Sequence, residues 1–150
     1  MKRVSLIRRA NADDEQQVFK LFEKLPSRSR SDEYRVDQKT GVAIFRRILS
    51  APTMGIILVA EKEGKLLGCI TLSYPLAIRC SGHYARIEEY IVDEAARGRG
   101  IGTDLLEAAI EEAKKMECFD LQVNNPSDLG KPLYDSHGFK ASGDYWRLKL

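Results

Sequence analysis

Residues 97–102 read Arg-Gly-Arg-Gly-Ile-Gly and run straight into IGTDLLEAAIEEAKKM, which places Leu105, Leu106, Ala109, Ile110 and Ala113 along one helical face. A helix amino terminus leaves backbone N–H groups unpaired at the positive end of the helix dipole. Glycines just ahead of it let a ligand approach that backbone without side chains in between. The chemistry on offer is capture of an anion, phosphate above all. A dinucleotide-binding turn would need GxGxxG, but Thr103 stands at the third glycine position, and Asp120 begins the following strand where a ribose-binding acid should end it. A nucleotide triphosphatase loop would need a Gly-Lys-Ser/Thr ending, which this run lacks. The plainest alternative is a tight turn with surface arginines, and the hexamer alone does not choose between that and an anion cradle.

The elements around the run must hold it in place. VSLIRR, residues 4–9, reads as a short strand, and residues 13–25 set Val18, Leu21, Phe22 and Leu25 at helical spacing behind an Asn/Asp start. Residues 26–36 form a polar loop, followed by a helix over 37–49 with Val42, Phe45 and Leu49 on one face and Pro52 beyond its end. GIILVAEKEGKLLGCITLSYP reads as an antiparallel hairpin that turns at Lys62 to Lys65 around Gly64 and stops at Pro75. A third strand spans 84–92, the glycine run and its helix follow, and FDLQV is a further strand. LGKPLYDSH reads as a short helix stopped by Gly138, and DYWRLKL, residues 144–150, as a last strand.

The chain of 150 residues, 43% hydrophobic, has the size of one domain with a real core, so residues 1–150 are read as a single domain. Its 24 basic and 22 acidic residues leave a net charge of +2, too balanced for a surface built to coat nucleic acid. No window approaches the roughly 18 apolar residues of a membrane span, and the amino terminus has only a short apolar stretch. Cys69, Cys80 and Cys118 are odd in number, far apart and without a CxxC pair, so neither a disulfide framework nor a zinc site is indicated. A cytoplasmic protein without nucleic-acid or membrane partners is the expectation. His83 and His137 have no third ligand at metal spacing, so no metal is inferred; surface or capping roles suit them. Arg28, Tyr34, Arg30 and Arg35 make the first long loop basic, either as a solvated loop or as a surface for an acidic acceptor.

Arg97, Gly100 and Gly102 fit an (Arg/Gln)-x-x-Gly-x-(Gly/Ala) run, IEEYIVDEAARGRGIGTDLLEAAI surrounds it, and LYDSHGF sets a tyrosine four residues before Gly-Phe. In these motifs and their order the chain resembles the Gcn5-related N-acetyltransferase (GNAT) family, clearly over about residues 54–140. The resemblance implies an α/β (α+β) fold, a mixed, largely antiparallel sheet with helices on both faces. It also implies transfer of an acetyl group from acetyl-CoA to an amine.

By that resemblance, Arg97, Gly98, Arg99, Gly100, Ile101, Gly102 and Thr103 would hold the CoA pyrophosphate, largely through backbone amides. Ile91 and Val92 would pair with the pantetheine arm like an added strand, one amide aimed at the thioester oxygen. Asn124 would either bond the cofactor or cap the last helix. Tyr134 is the leading acid for the departing thiolate, since a phenol with an ordinary pKa of about 10 is protonated at neutral pH. Glu88 and Glu89 are the base candidates. The IEEYIV run is similar to the IEDxVV arrangement of glucosamine-phosphate acetyltransferases, in which this acidic pair borders the acceptor. Consecutive strand residues point to opposite faces, so only one of the pair faces the acceptor unless a bulge intervenes, and the sequence does not pick. The expected function is direct acetyl transfer to a small primary amine in a ternary complex. Protein amino-terminal or lysine acetylation and a noncatalytic acyl-CoA-binding regulator stand as alternatives, and a homodimer is one assembly open to the chain.

Overall fold

The computed structural model describes residues 5–25 and 37–150; the basic loop with Arg28, Arg30, Tyr34 and Arg35 lies outside the described residues. In chain order the elements are β1 (Leu6–Arg9), α1 (Glu15–Phe22), α2 (Gln38–Ser50), β2 (Gly55–Lys62), β3 (Lys65–Ser73), β4 (Leu76–Ala77), β5 (Gly82–His83), β6 (Ala85–Val92), α3 (Ile101–Lys115), β7 (Leu121–Val123) and α4 (Lys131–Ser136). One sheet has the order β1-β2-β3-β6-β7, antiparallel except for the parallel β6–β7 pair, and β4 and β5 form a small ladder of their own.

The hairpin of β2 and β3 is the centre of the sheet, and helices cover both of its faces. Ile56, Leu58, Ile70 and Leu72 pack with Leu105, Leu106 and Ala109 of α3. Ile57, Val59 and Cys69 pack with Val18 and Leu21 of α1 and Phe45 of α2. Burial on both faces explains why the two strands read as nearly unbroken apolar runs rather than an alternation. The turn between them places Glu63 at φ 52° and Gly64 at φ 78°, the two left-handed residues that a tight hairpin of native twist requires.

Ahead of α1, Asn11 and Asp14 form a reciprocal capping box. Asp14 is buried and takes both ends of the Arg8 guanidinium, at 2.7 and 2.9 Å, while Arg8 Nε reaches Glu61 at 2.7 Å. The hydrogen bond from Arg8 holds the Asp14 carboxyl below the usual carboxylate range against the opposing effect of burial. β1, β2 and the start of α1 are thereby tied together.

α3 lies unusually close to the sheet at Gly68. A methyl group there would meet Leu105 Cδ1 at 2.9 Å and the Ile91 carbonyl oxygen at 3.0 Å, so the missing side chain sets how near the helix and its first turn come to β3 and β6.

One expectation needs correction. Residues 144–150 form no strand, and Trp146 within them is 87% exposed. Alternation in sequence describes a side-chain pattern, but a strand also needs a partner edge of matching length, and β7 at the sheet's end has only three residues. The small β4–β5 ladder, in contrast, had no sequence signal, since strands of two residues carry no period. Among the described residues, no helix is long and apolar enough to cross a membrane.

Candidate active site

The Arg-Gly-Arg-Gly run leads directly into α3. Gly98 and Gly100 both sit at φ 80°, a left-handed conformation that side chains resist, and nothing lies within 4 Å of where a side chain at either would begin. Gly100 is the N-cap of α3, and its carbonyl accepts from Asp104 N at 3.0 Å. The N–H groups of Ile101, Gly102 and Thr103 in the first turn have no intrahelical partner and point out of the helix end. A cavity of about 380 Å³ opens in front of them, lined by Arg97, Gly98, Gly100, Ile101, Gly102 and Thr103 on one side and by Leu129, Gly130, Leu133 and Tyr134 on the other. Arg99 does not line it.

The floor of the cavity is the last part of β6. Parallel pairing with β7 covers only Ala85 to Ile87, ending at Ile87↔Val123, so beyond that point β6 has a free edge. Which residues use that edge follows from the ladder on its other side. Asp93 N donates to Leu67 O at 2.8 Å, and antiparallel alternation therefore turns the polar backbone groups of Ile91 toward β3 and those of Tyr90 and Val92 toward the opening. Ile91 and Val92 both line the cavity, but of the two only Val92 offers it backbone donors and acceptors; Tyr90 is the second residue that does.

Tyr134 comes to the cavity from α4. Pro132 is tolerated in the first turn of this short helix, and Ser127 accepts from Gly130 N at 2.9 Å through its hydroxyl, fixing the entry. The Tyr134 ring meets Tyr90 edge to face at 6.3 Å and Phe139 at 5.2 Å, so it is both a core aromatic and a cavity wall. Burial pushes its phenol up to about 12, which keeps it a proton donor at any physiological pH. Tyr90 ties the parts together: its hydroxyl donates to the Gly102 carbonyl, and its own phenol is raised by burial and by Tyr134.

The two glutamates part company at a bulge. The β3–β6 register runs Thr71↔Glu89 and then Leu72↔Ile87, leaving Glu88 as the extra residue. Ile87 packs on the α3 face, Ile91 on the α1 face, and Glu89 shares the face of Ile91. Glu88 is exposed and accepts from Ser73 Oγ at 2.9 Å. Glu89 is partly buried and does not line the cavity, and its carboxylate is bonded by the Thr71 hydroxyl. Burial raises its pKa, the Thr71 bond opposes that, and the Glu88 charge adds to it.

The remaining expectations fall as follows. Asn124 is exposed just past β7 and does not line the cavity; Asn125 after it, at φ 51°, turns the chain toward α4. His137 Nδ1 lies 2.8 Å from the Leu133 carbonyl at the end of α4, and His83 Nδ1 lies 2.8 Å from the Tyr74 carbonyl. Among the described residues no three His, Cys, Asp or Glu side chains cluster as metal ligands would. Cys69 is buried beside Glu89, its thiol pushed up by burial. Sequence reasoning missed Tyr90, Ser127, Leu129 and Leu133. A signal for Tyr90 was present in its being the one aromatic residue of an otherwise aliphatic strand end.

Comparison with known proteins agrees with this geometry. The chain is 32% identical over 94 residues to "Probable glucosamine 6-phosphate N-acetyltransferase 2" of Oryza sativa subsp. japonica, a match that covers 59% of this chain and 55% of that protein. The chain thus spans about half the length of the curated relatives it matches. Its fold is shared with a transcriptional regulator from Bacillus halodurans C-125, at TM-score 0.82 and 24% identity over 97% of this chain and 99% of that one. The glucosamine-6-phosphate N-acetyltransferase from Arabidopsis thaliana has the same fold, at TM-score 0.80 and 21% identity over 97% and 98%. The family model for the acetyltransferase (GNAT) family matches residues 16–139, from within α1 to just beyond α4 and across every element that builds the cavity. The protein belongs to that family.

Proposed function

We propose that the protein is an acetyl-CoA-dependent N-acetyltransferase that acts on a small primary amine by direct transfer within a ternary complex. The observation that carries the reading is the juxtaposition of an open phosphate cradle, a free strand edge and a buried phenol around one cavity. The first-turn amides of α3 and Arg97 hold the pyrophosphate. Val92 and Tyr90 pair their backbone with the pantetheine arm, and one of their N–H groups stabilises the oxyanion.

The amine nitrogen attacks the thioester carbonyl, forming the amide C–N bond as the C–S bond breaks. Glu89 takes the amine proton, directly or through one water, and Tyr134 returns a proton to the leaving thiolate. Glu89 is preferred to Glu88 because a carboxylate withdrawn from water and raised in pKa is a better match to base catalysis near neutral pH than an exposed one. The names of the relatives make an amino-sugar phosphate the first acceptor to try.

The test is a thiol-release assay with acetyl-CoA and a panel of amines that includes glucosamine 6-phosphate, amino-terminal peptides and lysine peptides, run beside calorimetric titration with CoA. Thiol release with glucosamine 6-phosphate or another small amine, and not with peptides, is expected. Tight CoA binding without thiol release for any amine defeats the proposal in favour of a binding regulator.

A further inference from the structure

Thr71 is 5% exposed, stands opposite Glu89 across the β3–β6 ladder and marks the edge of the bulge. Its hydroxyl oxygen accepts from Glu89 N at 3.0 Å, where a regular ladder would have that amide donate to a backbone carbonyl. A threonine hydroxyl has one proton to give, and here it goes to the Glu89 carboxylate. Main chain and side chain of Glu89 are thus both held by one oxygen atom. A valine of nearly the same shape would suit a buried strand position equally well, so packing does not account for the hydroxyl.

We infer that Thr71 is a positioning residue for the transfer reaction: its hydroxyl holds the bulge open and fixes the Glu89 carboxylate in the orientation from which it takes the amine proton. The inference rests on the base role proposed for Glu89.

The surroundings make this hydroxyl the main favourable partner of that charge among the described residues. Glu88 on the same strand repels it, and the Cys69 thiol of β3 is its neighbour on the same face. α1 and α2 turn apolar side chains to this face, among them Val18, Leu21 and Phe45. Lys24, just beyond α1, is engaged by Asp93 at 3.4 Å. With the hydroxyl gone, burial and Glu88 would act unopposed, and both disfavour the carboxylate.

The experiment compares wild type, Thr71→Val and Thr71→Ser, each first shown to bind CoA and to melt cooperatively. The Glu89 carboxyl is titrated by carbon-13 NMR, with its resonance identified through Glu89→Gln, and the pH–rate profile is recorded with acetyl-CoA and glucosamine 6-phosphate. If the hydroxyl has this role, Thr71→Val raises the Glu89 pKa by about one to two pH units, the range of a lost hydrogen bond to a charged group, and moves the acid limb of kcat/KM by the same amount. Thr71→Ser restores both. An unchanged Glu89 pKa in Thr71→Val overturns the role of Thr71 and leaves the base assignment standing. A shifted pKa with an unmoved rate profile overturns the base assignment, and the positioning role with it.

Discussion

The cavity in front of α3 and the surroundings of Glu89 are built from different materials. Around the cradle, the groups aimed at a ligand are mostly backbone: the first turn of α3, the open edge of β6 at Tyr90 and Val92, and glycines at φ 80° that clear the approach. Around Glu89, the groups are side chains whose direction depends on a bulge between strands that pair across 18 residues of sequence. A backbone site tolerates change in its neighbours as long as the chain path holds. A side-chain site depends on each rotamer and each partner, and for that reason it can be retuned one residue at a time.

The contrast is best broken at Tyr134, a side chain that lines the cavity. Tyr134→Phe removes the hydroxyl and keeps the ring against Tyr90 and Phe139. Single-turnover acetyl transfer is expected to fall by roughly 10²- to 10⁴-fold with CoA affinity unchanged, the range for loss of a general acid. Wild-type single-turnover rates from pH 6 to pH 9 would remove the acid role and leave Tyr134 as a wall of the cavity.

Around Glu89 the bulge divides two adjacent glutamates into unequal partners. Glu89→Gln should lower kcat by about 10²-fold at neutral pH, the lower end for general base catalysis, with activity recovering as pH rises and the amine loses its proton unaided. Glu88→Gln, which alters an exposed side chain bonded to Ser73 and removes only the smallest of the causes acting on Glu89, should stay within about twofold. Equal effects of the two substitutions across that pH range would mean that the bulge does not sort them.

A smaller effect than those of Tyr134→Phe and Glu89→Gln is expected where backbone does the binding. A side chain at Gly102 begins 3.1 Å from the Tyr90 hydroxyl and 3.6 Å from Val92 Cγ2, in the mouth of the cavity. Gly102 lacks the left-handed φ of Gly98 and Gly100, so its substitution is a cleaner probe of binding than theirs. Gly102→Val should weaken CoA by at least about tenfold in calorimetry, or 1.4 kcal/mol, with a melting temperature close to wild type. Undiminished affinity in the folded variant would place the ligand elsewhere.

The same division explains what the sequence disclosed. The cradle was legible because a run of glycines and a helix period are local, and both survive into the structure at the expected numbers. The two-sided burial of β2 and β3 was legible as unbroken apolar runs. The choice between Glu88 and Glu89 was not, because it depends on a register shift set by pairing between β3 and β6. The backbone parity that puts Ile91 toward β3 and Tyr90 toward the opening depends on the same ladder. Asn124 was placed by resemblance alone; in the structure it is exposed past β7, and Asn125 at φ 51° turns the chain between it and Tyr134. The alternation of residues 144–150 was a real pattern without a strand to express it.

Gly68 and Thr71 sit on one strand and face opposite ways, the first admitting α3 and its cradle, the second gripping Glu89. β3 therefore serves as the gauge between the start of α3 and Glu89. Three residues of strand amount to about 10 Å, an interval that side-chain motion barely alters. Inserting or deleting one residue between them would do more than change that interval. It would reverse the facing of one relative to the other, so that α3 and Glu89 could no longer both be served by the same strand. Length and phase of this short segment are a single constraint, and substitutions within it are free only so far as they leave the count unchanged.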